Sequence, residues 1–81
     1  MVNEFIDIFF CESDNLTPYQ AIVWRDGRIA ERVSHRRLAH MIDYCRQRKL
    51  PVIASDDRLR IRLSSYGIPA RAPFSRALGA D

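Results

Sequence analysis

The sequence predicts a small α/β domain built on one sheet, and three features carry that reading. A run of β-branched and aromatic residues opens the chain, an Asp-Gly pair joins two further strand-like runs, and a helical apolar stripe precedes a last short apolar run. The predicted order is β-β-β-α-β-α with a possible final edge strand, and α+β is the neighbouring class. Eighty-one residues hold only one core, so residues 1–72 are read as a single domain and residues 73–81 as a loose C-terminal tail.

Phe5-Ile-Asp-Ile-Phe-Phe-Cys11 is seven residues long, strand length rather than helix length, and reads as a central strand. Glu12 to Pro18 gathers Ser, Asp, Asn, Thr and Pro, the residues that bond their own backbone or fix φ, and is therefore a loop. Tyr19–Arg25 and Arg28–Val33 flank Asp26-Gly27, whose tolerance of positive φ permits the type I′ turn of a two-residue hairpin. That register sets Trp24 opposite Ile29 and Val23 opposite Ala30. The lone Trp24 is expected to pack beneath the following helix, because a large ring contributes heavily to a small core.

Ser34 is placed to cap that helix through its hydroxyl. Leu38, Met41, Ile42 and Cys45 recur at i, i+3, i+4 and i+7 and so form its buried stripe. The helix should end near Lys49, since Pro51 disfavours helical geometry at Leu50. Pro51 to Ser55 reads as a buried strand. The segment from Asp57 to Tyr66 alternates as a strand would over Arg58–Leu63, yet Ser55 or Asp56 can cap a helix there and Gly67 can end it; helix is the favoured reading. Ile68 to Ala72 is the candidate edge strand.

Charge is polarised along the chain. Residues 1–24 carry four acidic groups and no basic one, whereas residues 25–81 carry all 13 basic groups, twelve of them Arg, and six acidic ones. No apolar run reaches the roughly 18 residues of a membrane span, and the first basic residue is Arg25, so neither a span nor a secretory signal is expected and the location is read as cytoplasmic. Cys11 and Cys45 lack metal-site spacing and are expected to be buried free thiols.

Three opening strands with short links suit an antiparallel meander, and a fourth reached through a helix can lie parallel to the first. That arrangement resembles a shortened ribonuclease H-type fold. A second resemblance rests on Leu50-Pro-Val-Ile-Ala-Ser-Asp-Asp57, followed by Leu59, Arg62, Leu63 and Tyr66-Gly-Ile68. With the preceding helix, residues 38–70 are similar to the late strand, acidic turn and helix of PIN-like and NYN-like ribonucleases.

That likeness implies a carboxylate at the strand end that helps bind Mg²⁺ or Mn²⁺, with Asp7, Asp56 and Asp57 as the available ligands. Further carboxylates at clear positions are lacking, and Asp56 or Asp57 reads first as a helix cap rather than a metal ligand. Apart from that nuclease alternative no cofactor is expected. His35 and His40 have no partner spacing, the serines stand in no nucleophile motif, and the three glycines make no phosphate loop.

The preferred expectation is a non-enzymatic accessory or regulatory protein. Its binding surface is predicted on a basic helical face bearing Arg36, Arg37, His40, Arg46, Arg48 and Lys49, facing an acidic protein partner or a nucleic-acid complex. A homodimer formed through a β-edge is the third expectation.

Overall fold

Glu4–Phe10 (β1) carries apolar side chains on both faces, Ile6 and Ile8 on one and Phe5 and Phe9 on the other, as a central strand must. The computed structural model describes residues 3–73. β1 pairs antiparallel with Tyr19–Arg25 (β2), and β2 pairs antiparallel with Arg28–His35 (β3). Asp26 and Gly27 make the intervening turn with φ of 52° and 81°, the two positive values a type I′ turn requires. Leu38–Arg48 (α1) then leads to Val52–Ala54 (β4), which lies parallel to β1, and Asp57–Ser65 (α2) leads to Ala70–Arg71 (β5), parallel to β4. The sheet order is β3-β2-β1-β4-β5. An antiparallel meander with a parallel strand beside its first member is the arrangement expected from element order.

Residues 57–65 are helix, and both ends explain why. Asp56 Oδ1 accepts the backbone N–H groups of Arg58 and Leu59, satisfying two donors that the helix itself leaves open. At the other end Gly67 takes φ of 86°, Gly67 N–H donates to Ser64 O at 2.9 Å and Ile68 N–H to Leu63 O at 2.9 Å. This is a Schellman closure, and its characteristic apolar contact is present because Leu63 and Ile68 are both buried in the core.

Both helices lie on one side of the sheet. Their buried residues, Leu38, Met41, Ile42 and Cys45 of α1 with Leu59 and Leu63 of α2, form a single cluster with Ile6, Ile8, Ala21, Val23, Val52 and Ala54. Ala21 and Ala54 keep that face low enough for helices to settle on it. The opposite face carries no helix, and there Phe5, Asp7, Phe9, Ile22, Trp24 and Ile53 are only half-buried.

Several expectations change. Trp24 does stand opposite Ile29, but it points away from α1, on the helix-free face. Strand parity decides this: Val23 and Ala21 face the helices, so their neighbour Trp24 cannot. A register irregularity between Val23 and Trp24 also sets Val23 opposite Glu31 instead of Ala30. Ser34 caps nothing, because β3 runs on to His35 and commits Ser34 to the ladder opposite Gln20; the N-cap position of α1 is Arg37, without a side-chain cap. Cys45 is buried as expected, whereas Cys11 is half-buried with its Sγ 3.2 Å from Ser13 Oγ. From residue 74 on, the expected tail lies outside the described residues. Among the described residues no helix is long and apolar enough to cross a membrane.

Candidate functional site

The parallel strands β1 and β4 lie side by side at the point where the strand order reverses, since β2 flanks β1 on one side and β5 flanks β4 on the other. In open α/β sheets ligands favour the crevice outside the carboxyl ends of strands at such a point. Here that crevice is a hollow of about 310 Å³ lined by Phe10, Glu12, Tyr19, Asp56, Arg58, Leu59 and Arg62. Leu59 is buried and floors it.

Each wall has a local cause. Phe10 ends β1 and Tyr19 begins β2; the ladder pairs them, and their rings meet edge to face at 5.2 Å. Arg58 and Arg62 are four residues apart on α2 and so project along one side of it. Arg62 Nη1 donates to the Tyr19 hydroxyl at 3.4 Å, tying α2 to the start of β2. Glu12 belongs to the loop between β1 and β2, which Asp14 organises. Asp14 Oδ1 accepts from Leu16 N–H at 3.2 Å and Thr17 N–H at 3.0 Å, and Oδ2 accepts from Thr17 Oγ1 at 3.1 Å. The bond from Thr17 N–H is the main reason the Asp14 carboxyl lies below its ordinary range. The hollow therefore combines two guanidinium groups and two aromatic rings with a fixed rim.

The residues expected to make one basic helical face are divided. Arg36, Arg37 and His40 lie at the start of α1, at the carboxyl end of the sheet, since β3 ends there in the same row as Phe10 and Tyr19. Arg46, Arg48 and Lys49 lie at the other end of an 11-residue helix, roughly 16 Å away at 1.5 Å per residue. Two of these are already engaged. Arg46 Nη2 donates to Tyr66 O at 2.9 Å on the α2 side, while Arg48 pairs with Glu31 and lies 5.3 Å from the Tyr44 ring on the β3 side. Lys49 occupies the left-handed C-cap of α1. His35, two residues before the N-cap, has a buried Nε2 with no hydrogen-bond partner among the described residues, and its ring lies 6.1 Å from that of His40.

The three carboxylates considered for a metal do not converge. Asp56 is spent on the α2 cap, Asp57 pairs with Arg60, and Asp7 projects from the helix-free face level with Ile22 and Ile53. Among the described residues no group of three His, Cys, Asp or Glu side chains is arranged to hold a metal ion. Burial raises the Asp7 carboxyl above its ordinary value, and hydrogen bonding to Trp24 opposes that rise.

Phe10, Tyr19, Arg58 and Arg62 were not singled out by the sequence reading as binding residues. The i, i+4 spacing of Arg58 and Arg62 puts them on one side of α2. Their meeting with Tyr19, 43 residues from Arg62, arises only from the sheet order. Comparison of the chain with protein-family models, with curated proteins and with solved structures gave no match.

Proposed function

We propose that this chain is a non-enzymatic binding module that holds an acidic segment of a partner protein across the carboxyl end of its sheet. The observation that carries this reading is the hollow in which Arg58 and Arg62 stand beside the Phe10–Tyr19 pair at the strand-order reversal. Arg forks suit carboxylates and pair with them bidentately, and the aromatic pair offers the apolar contact that a side chain next to an acidic residue needs. Arg36 and Arg37, exposed at the same end of the sheet, extend the positive surface. Glu12 and Asp56 border the same hollow and favour a protein segment over nucleic acid. A continuous phosphate backbone would be repelled by them, whereas discrete carboxylates can be spaced to avoid them.

A fluorescent peptide in which Glu residues are spaced by Leu and Ser, and a single-stranded RNA of equal length, test the reading by anisotropy. The peptide is expected to bind with an affinity that falls as salt rises, and Arg58→Glu with Arg62→Glu should abolish it while circular dichroism stays unchanged. Lys49→Glu, at the opposite end of α1, should leave binding as it was. Tighter binding of RNA than peptide, or full peptide binding by the double variant, would overturn the proposal.

A further inference from the structure

The helix-free face has an internal order that the acidic-partner reading does not use. Three rows cross it from β1 through β2 to β3: Phe5–Trp24–Ile29, Asp7–Ile22–Arg32 and Phe9–Gln20–Ser34. The middle row places a carboxylate and a guanidinium on either side of Ile22, each one strand from β2. Asp7 is half-buried among apolar neighbours, and neither it nor Arg32 has an ion-pair partner among the described residues.

Such a face is complementary to itself. A two-fold axis parallel to β2, midway between two copies of the sheet, carries β1 of one copy over β3 of the other. Ile22 then faces Ile22 and Trp24 faces Trp24. Phe5 covers Ile29 of the other copy, a side chain left 45% exposed in the single chain. Asp7 meets Arg32 of the other copy, and by symmetry the pair forms twice. Packed sheets cross at about 30°, which at one strand spacing of about 4.8 Å from the axis displaces the two groups by only about 2.4 Å, well within the reach of an Arg.

The overlap between the copies is modest. In this arrangement three strands of each copy overlap, β1, β2 and β3, and at about 4.8 Å spacing and seven residues at about 3.3 Å rise they give a flat footprint of about 330 Å², before side-chain relief adds to it. That lies within the about 300–600 Å² of the largest apolar patch on an ordinary monomer and below the about 800 Å² per partner of a standard-size interface, so the self-complementary charges, rather than the area, single out this pairing.

We infer that the helix-free face is the interface of a homodimer in which Asp7 of each copy pairs with Arg32 of the other across Ile22 and Trp24. The apolar rows supply the association and the two ion pairs fix its register, because a slipped or rotated pairing leaves Asp7 desolvated without a counter-charge. This interface is separate from the hollow at the sheet end, which stays open in the dimer.

Sedimentation equilibrium of the full chain over a concentration series tests it, with Asp7→Arg, Arg32→Asp and their combination. The unmodified chain is expected to dimerise. Each single variant should weaken dimerisation at least tenfold, and the double variant should return to within a few-fold of the original. An equimolar mixture of the two single variants should form a heterodimer more readily than either forms a homodimer, since both pairs are then restored. Arg32 is exposed, so Arg32→Asp keeps the test readable even if Asp7→Arg fails to fold. A monomer at every concentration would overturn the inference, and so would a dimer indifferent to Arg32→Asp, which would place the contact elsewhere, such as the β3 edge.

Discussion

Asp56 caps the helix that begins with its neighbour: its Oδ1 accepts the Arg58 N–H at 2.8 Å and the Leu59 N–H at 3.2 Å. The carboxylate that the ribonuclease resemblance would assign to a metal is thereby bound to the backbone. It also anchors the turn from which Arg58 and Arg62 are presented, so local stability and the candidate site share one residue.

Asp56→Ala should therefore cost about 1 kcal/mol, the usual loss for an N-cap, while Asp56→Asn should keep most of the stability because its amide oxygen still accepts. In a domain of this size 1 kcal/mol lowers the midpoint by about 4–8 °C, which thermal denaturation followed by circular dichroism resolves. Equal losses for Ala and Asn would show that the charge, rather than the cap bond, matters.

The two sheet faces should differ sharply in what they tolerate. Leu63 is fully buried between α2 and the sheet, so Leu63→Ala should cost about 2–5 kcal/mol, enough to unfold much of a marginal domain. Trp24 is half-buried on the face without helices, and Trp24→Ala should cost less than Leu63→Ala when measured by urea denaturation at low protein concentration. The reverse order would contradict the one-sided core.

Local chemistry explains why the elements were legible and the faces were not. Asp26-Gly27, the α1 stripe, the Asp56 cap and Gly67 each specify backbone conformation through contacts within a few residues, and each stands where it was expected. The choice between Trp24 and Val23 as core residue is different. β1 and β2 are apolar on both sides, so alternation alone leaves the covered face undetermined until the helices are placed. The candidate site was hidden for a related reason. Arg36 and Arg37 stand in sequence just before the helix that carries Arg46 and Arg48, yet the fold groups them at the sheet end with Arg58 and Arg62 of another helix.

The β1–β2 loop should carry an acid-sensitive share of the stability. Hydrogen bonds from Thr17 and Leu16 hold the folded Asp14 carboxyl below its ordinary value of 3.8, so its contribution is present above that pH and lost as pH falls through the folded value. The stability difference between the unmodified chain and Asp14→Ala should therefore be largest near neutrality and shrink at acid pH. Urea midpoints measured at neutral pH and below 3.8 check this, and a difference that grows on acidification would contradict it.

The two thiols should separate by reactivity and by pH. Cys45 lies in the core between α1 and the sheet, and burial pushes its thiol from 9.0 up to about 11. Cys11, half-buried beside Ser13, is accessible. A disulfide reagent at pH 8 should therefore label one thiol per folded chain at once and the second only on unfolding, with Cys11→Ser removing the fast phase. The raised folded value also fixes a direction for stability. Below 9.0 the Cys45 thiol is neutral in both states and its favourable contribution is complete; as pH rises toward about 11 the unfolded chain ionises first and that contribution is lost. Burial raises the neighbouring Tyr44 hydroxyl as well, so it acts in the same sense. Cys45→Ala should weaken the folded state at neutral pH by removing core volume, yet lose less of its remaining stability between pH 9 and 11 than the unmodified chain does. Rapid labelling of both thiols in the folded protein would remove Cys45 from the core.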